Sequence, residues 1–211
     1  MSSVLGVDLS LTGTGLALVC REGPDRLKRA MLYVDQFDYV STIDGVVIRL
    51  HPPKPEPGDS ANYSKFRNWQ YIRDSVMLFT VFADFVVIEG YAYGASFHRE
   101  DLAEIGGIIR YALWSENGGL GGPTIVAPTI LKKFLTGSGA GGQKELVLKE
   151  VYKRYGLDVT DNNMADAYVL AKIGQAMVDG TYGLPAFQRE IVEKLQAGPQ
   201  PKPKKAKKRS A

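Results

Sequence analysis

Val4-Leu5-Gly6-Val7-Asp8-Leu9-Ser10-Leu11-Thr12-Gly13-Thr14-Gly15 is an apolar run that closes on a carboxylate and then turns through glycine and threonine. With Leu16-Ala17-Leu18-Val19-Cys20 beyond the turn, residues 3 to 8 and 14 to 20 read as two strands. Their connection is too short for a crossover, so they are expected to form an antiparallel hairpin. Asp8 is costly in that position, because strand interiors disfavour aspartate and a charge beside a core needs a cation or hydrogen-bond donors to offset its desolvation. Two further acids share the setting: Glu89, ending Phe85-Val86-Val87-Ile88-Glu89, and Asp166, inside Met164-Ala165-Asp166-Ala167-Tyr168-Val169-Leu170.

Outward from the hairpin, residues 30 to 35 and 45 to 50 are expected to add strands, and His51-Pro52-Pro53-Lys54-Pro55-Glu56-Pro57-Gly58 breaks regular structure. Tyr63, Phe66, Trp69, Ile72, Val76 and Phe79 then recur at helical spacing, which predicts a long helix feeding the strand 85 to 89, its aromatic stripe a core face. After the loop Gly90-Tyr91-Ala92-Tyr93-Gly94-Ala95-Ser96, an amphipathic helix is expected from about 99 to 116, with Leu102, Ile105, Ile108, Ile109 and Leu113 on one side, ended by Gly118 to Gly122. A short strand at 123 to 127, helices at 128 to 135 and 143 to 155, and a helix starting near Asp161 complete an α/β sandwich around a mixed sheet.

The 211 residues, 45% hydrophobic, suffice for one sizeable core. Residues 1 to 180 are expected to form that domain, 181 to 197 a C-terminal helical extension, and 198 to 211 a disordered basic tail. No apolar stretch approaches the ~18 residues of a membrane span, and Met1-Ser2-Ser3 does not open a signal segment, so a soluble, cytoplasmic protein is expected. Cys20, the single cysteine, sits in an apolar run and suits core packing better than nucleophilic chemistry. The net charge of +3 is uneven: through residue 201 there are 20 basic and 23 acidic residues, and Lys202, Lys204, Lys205, Lys207, Lys208 and Arg209 reverse the sign. Such a tail can grip a polyanion.

Sites in open α/β sheets gather at the carboxyl ends of strands, where Asp8 and Glu89 are expected. Asn163, Leu170 and Ile173 share a helix face with Asp166 and turn it towards the sheet. No lysine or arginine adjoins these acids in sequence, and hard oxygen donors select Mg2+ or Mn2+. Zinc is disfavoured, since His51, His98 and Cys20 are too few and too scattered. Two ions about 3.5 to 4 Å apart on such carboxylates suit in-line displacement at phosphorus, hence phosphodiester hydrolysis. Taken singly, Asp8 could cap the turn, Glu89 could bind loop amides and Asp166 could face a helix dipole.

Gly6-Val7-Asp8-Leu9-Ser10 with Thr12-Gly13-Thr14-Gly15, Val87-Ile88-Glu89-Gly90, the segment Pro128 through Lys144, and Ala165-Asp166-Ala167-Tyr168-Val169-Leu170-Ala171 come in an order that resembles the RuvC-type Holliday junction resolvases, bacteriophage branch, of the RNase H-like superfamily. The resemblance covers roughly residues 3 to 180. It implies an RNase H-like mixed five-stranded sheet flanked by helices, a homodimer, Mg2+ or Mn2+ dependence with two ions per site, and cleavage of branched DNA by paired nicks in recombination and repair. Asp8, Glu89 and Asp166 fall on the family's metal-binding acids. Where the family has another aspartate or a histidine this chain has Asn163, whose oxygen can still coordinate a hard cation; Asp161 could supply the missing charge, although its place suits a helix N-cap.

The same resemblance assigns Lys132 and Lys144 to two basic positions that face DNA phosphates, with Lys133 beside them and Lys144 placed to stabilise charge at the scissile phosphate. Lys132 through Lys144 also encloses a glycine-rich loop before a helix, which makes an anion site on physical grounds alone. Where cellular members place an aromatic that engages the junction centre, this chain has Ala92 between Tyr91 and Tyr93, either of which can stack on an unpaired base. The basic residues Lys204, Lys205, Lys207, Lys208 and Arg209 are expected to add DNA affinity, and the helix 99 to 116 corresponds to the family's dimer helix.

Four other readings arise. An ATPase of the actin and sugar-kinase type also begins with a strand-end aspartate, glycine and threonine, but it needs a second acidic glycine-rich loop that Glu89-Gly90-Tyr91-Ala92 does not provide. A phosphate loop at Gly137 to Lys144 fails because Gln143 stands where lysine is required. A non-catalytic DNA-binding protein predicts salt-sensitive binding without cutting, and a broader nuclease would take flaps, forks or RNA:DNA hybrids.

Overall fold

A computed structural model describes residues 2–20, 37–90, 99–116, 122–138 and 144–198. The expected hairpin forms from β1 (Val4–Asp8) and β2 (Gly15–Val19), paired antiparallel with Val4 opposite Val19 and Asp8 opposite Gly15. Every residue of both strands is buried, because the sheet is covered on both faces. β3 (Phe37–Ser41) and β4 (Gly45–Leu50) add a second antiparallel hairpin on the β2 side, while β5 (Phe85–Glu89) and β6 (Thr124–Val126) run parallel to β1 on the other. The sheet order is β3-β4-β2-β1-β5-β6. The described sheet is mixed and has six strands where five were expected, with β3 at one edge and β6 at the other. Residues 30 to 35, where a strand was expected, lie outside the described residues; β3 follows them and uses a more polar segment, Phe37-Asp38-Tyr39-Val40-Ser41, whose edge position leaves it partly exposed.

One face carries α1 (Ala61–Thr80) and α2 (Arg99–Glu116). Ser60 caps α1, its hydroxyl accepting from the Tyr63 N–H at 3.2 Å, and Trp69, Ile72, Val76 and Phe79 are buried as the helical spacing predicts. Tyr63 and Phe66, at the start of the same stripe, are each 58% exposed, Phe66 meeting Trp69 edge-on with ring centroids 5.3 Å apart. On α2, Ile105, Ile109 and Leu113 are buried, whereas Ile108 is exposed with Tyr111 and Trp114 on a second stripe.

The opposite face carries α3 (Pro128–Thr136), α4 (Lys144–Tyr155), α5 (Asn162–Asp179) and α6 (Ala186–Gln196). α5 lies directly on β1 and β2. A Cβ on Gly6 would sit 2.1 Å from the Ala167 carbonyl oxygen, and one on Gly15 would sit 2.0 Å from that of Asn163, so only glycine admits the helix at this distance. α6 docks through buried Ile191 and Val192, and the Gln188 amide donates to the Phe134 carbonyl at 2.7 Å. Cys20 is buried, with the Ser3 hydroxyl donating to its sulfur at 3.4 Å, in keeping with a packing role. No described helix is long and apolar enough to cross a membrane.

Candidate active site

Asp8 ends β1, and Glu89 ends the parallel neighbour β5. Alternate residues of a strand share a face, and Val4, Ala17, Val19 and Val87 belong to the core beneath α5, so Asp8 and Glu89 point towards that helix. Asp166, in the second turn of α5, faces them, and its charge reaches Asp8. The close helix approach at Gly6 and Gly15 sets this meeting: a longer separation would carry Asp166 away from the strand ends.

The single-residue alternatives for these acids have other owners. The turn after Asp8 is held by Thr14, whose hydroxyl donates to the Ser10 carbonyl at 2.7 Å and accepts the Ser10 N–H at 3.2 Å. The Gly90 N–H goes to the Val126 carbonyl at 2.7 Å. Asp161, not Asp166, caps α5, accepting from the Met164 N–H at 3.1 Å. Asn163 is adjacent to the acids but already spends its amide group, donating to the Gly13 carbonyl at 2.6 Å; its oxygen is the atom left for a cation.

Asp8 is only 5% exposed. Burial, followed by the negative charges of Glu89 and Asp166, holds its carboxyl well above the ordinary aspartate range. Burial also raises Glu89, opposed by its bond to Asp8 and by the positive charge of Lys132. Among the described residues, no group of three or more His, Cys, Asp or Glu side chains is closed around a common point as a ready cage. The donor set nevertheless fits a hard divalent ion: it offers oxygen alone, burial raises both Asp8 and Glu89 and the negative charges of Glu89 and Asp166 raise Asp8 further, a cost that a cation would relieve, and Asp166 Oδ1 is sealed from solvent.

Two cations frame the acids, although none adjoins them in sequence. Lys132, on α3, acts on Glu89 from the β5 side. Arg49, on β4, places Nε 3.4 Å from Asp161 Oδ2 on the β2 side. The sequence reading missed Arg49; the available signal was a charged residue set among the buried Val46, Val47, Ile48 and Leu50. Lys133 is turned elsewhere, its charge acting on Glu190 of α6. His51 is also away from the acids, its Nε2 lying 2.7 Å from Asp38 Oδ2. Tyr91, Tyr93, His98, Lys204, Lys205, Lys207, Lys208, Arg209 and the side chain of Lys144 lie outside the described residues.

No protein-family model matches the chain, and no curated protein does. Solved structures similar to it include Thermus thermophilus RuvC, 21% identical with a TM-score of 0.48, covering 80% of this chain and 90% of that one. The T. thermophilus RuvC in complex with Holliday junction substrate is 18% identical with a TM-score of 0.49, covering 81% and 90%. The yeast mitochondrial Holliday junction resolvase Ydc2 is 12% identical with a TM-score of 0.41, covering 93% and 81%.

Proposed function

We propose that this chain is a Mg2+- or Mn2+-dependent endodeoxyribonuclease that resolves Holliday junctions and other branched DNA by paired phosphodiester cleavage. The convergence of Asp8, Glu89 and Asp166 from three separate elements carries the reading, because like charges driven together beneath a helix destabilise the fold unless a cation belongs there. The choice of branched DNA rests on the motif resemblance in sequence. Asp8, Glu89, Asp166 and the Asn163 oxygen would hold the metal, which when bound activates water and stabilises the leaving oxygen at phosphorus.

The protein's own part is positioning and charge. Thr14 and Asn163 fix the turn that follows Asp8, and Gly6 and Gly15 bring Asp166 into reach. Lys132 offsets acidic charge where a phosphate must approach, and Lys144 at the start of α4 stabilises charge at the scissile phosphate. Tyr91 or Tyr93 stacks on an unpaired base, while Lys133, Lys204, Lys205, Lys207, Lys208 and Arg209 contribute affinity. Ile108, Tyr111 and Trp114 form an exposed apolar stripe on α2 that supports a homodimer, placing two sites on one two-fold symmetric junction. A cytoplasmic setting and a bacteriophage origin complete the reading.

The test is incubation with labelled four-way, flap and linear DNA and an RNA:DNA hybrid, and separately with ATP, each with and without Mg2+, beside Asp8→Asn. The proposal expects metal-dependent cutting that favours the four-way junction and is lost in the variant. Preference for flaps or hybrids would make the protein a broader nuclease; tight binding without cutting would make it a DNA-binding module; nucleotide hydrolysis alone would make it an ATPase.

A further inference from the structure

Arg49 is an arginine in a strand whose neighbours are buried, and the register explains where it points. Asp8 lies opposite Gly15, and Gly15 lies opposite Arg49, so the three occupy one row across β1, β2 and β4. Directly opposed residues share a face, which puts Arg49 on the α5 face about 10 Å from Asp8, two strand spacings along the sheet. Gly15, between them, has no side chain, and the Asn163 carbonyl fills that gap. The guanidinium lies against the turn: a Cβ on Gly13 would meet Arg49 Nε at 2.8 Å and Nη2 at 3.2 Å.

The guanidinium is held without being used up. Its Nε is sealed from solvent 3.4 Å from Asp161 Oδ2 and makes no hydrogen bond, while the side chain as a whole is 35% exposed, which leaves the outer nitrogens of the fork as the part that can reach a phosphate. Asp38, its other cross-strand neighbour, contacts His51 instead. An arginine fork matches phosphate oxygens, and a DNA strand passing Asp8, Glu89, Asp161 and Asp166 requires positive charge on both sides of them. Lys132 supplies one side.

We infer that Arg49 contacts a backbone phosphate of the strand cut at the acidic cluster, on the side of the cluster away from Lys132. This rests on the nuclease reading above. Binding of labelled four-way DNA is measured across 50 to 200 mM salt in an Asp8→Asn background that suppresses cutting, a range over which phosphate contacts change affinity by roughly tenfold or more. Arg49→Gln is expected to reduce the slope of log affinity against log salt by about 0.9, the contribution of one phosphate contact. Arg49→Lys is expected to restore most of that slope. Asp161→Asn, which keeps the helix cap while releasing the guanidinium, is expected to bind DNA more tightly.

An unchanged slope in Arg49→Gln overturns the inference, whatever its melting temperature. So does weaker binding in Asp161→Asn, which would mean that the pair serves only to lock the start of α5. These results leave the nuclease reading standing. Absence of any DNA binding by the protein with Arg49 intact overturns both.

Discussion

Asp8 shows what a carboxylate costs when it is buried beside two others. Its proton affinity is raised in the folded state, so the fold retains a proton that the unfolded chain releases as pH rises above the ordinary aspartate value. Metal-free stability should therefore fall as pH rises from about 4 towards the folded value. Asp8→Asn removes that fall, and urea unfolding in a chelator at neutral pH should show it stabilised by about 1 to 3 kcal/mol, with a smaller gain near pH 4. Equal effects at both pH values would mean that the charge is compensated within the protein. Asp8, Glu89 and Asp166 could be read from sequence because each interrupts an apolar run. Arg49 obeys the same rule, yet its partner Asp161 is far along the chain, and only the β2–β4 register together with the packing of α5 on Gly15 brings them together.

At the scale of elements, the fit of α5 to the sheet decides the site. Gly6→Ala should cost about 2 to 4 kcal/mol in denaturant unfolding, because its Cβ would collide with helix backbone and not with a flexible side chain. Cleavage should fall with it as Asp166 is displaced. The same helix is tied to the β3–β4 turn by Lys172, whose Nζ is 2.6 Å from Asp44 Oδ2, and by the Tyr168 hydroxyl, which donates to Asp44 Oδ1 at 3.1 Å. Burial raises Asp44, but its bonds to Lys172, Thr42 and Tyr168 outweigh this and leave it below the ordinary value. Its contribution is thus present above the unfolded value and lost as pH falls through the folded one. Asp44→Ala should cost about 1 to 3 kcal/mol at neutral pH and progressively less in acid below about pH 4, read by thermal unfolding. Helical periodicity found the stripes of α1 and α2 but not their depth of burial: Tyr63, Phe66 and Ile108 are exposed because coverage depends on neighbouring layers, which spacing along one helix does not encode.

For the whole molecule, the account requires a surface for a second copy and a means of holding DNA against an acidic body. Tyr111 and Trp114 are 68% and 46% exposed on α2, so Trp114→Glu should break the proposed dimer into monomers in light scattering and turn paired cuts into single nicks. Removing residues 198 to 211 should weaken DNA binding and flatten its salt dependence while leaving the metal requirement intact; an unchanged salt slope would reject the tail as a DNA grip. The antiparallel hairpin and the mixed character of the sheet were foreshadowed by the short β1–β2 turn and the later alternation of strands and helices, whereas β3 was not, because a polar edge strand lacks the apolar run by which the others were found. The central claim is that Asp8, Glu89 and Asp166 form a metal-dependent centre for DNA cleavage. Its most direct measurement is strand scission of a labelled four-way junction across a Mg2+ titration by the native chain and Asp8→Asn. The account predicts paired cuts that rise with Mg2+ and vanish in the variant; cutting that persists in chelator, or that Asp8→Asn leaves unchanged, would contradict it.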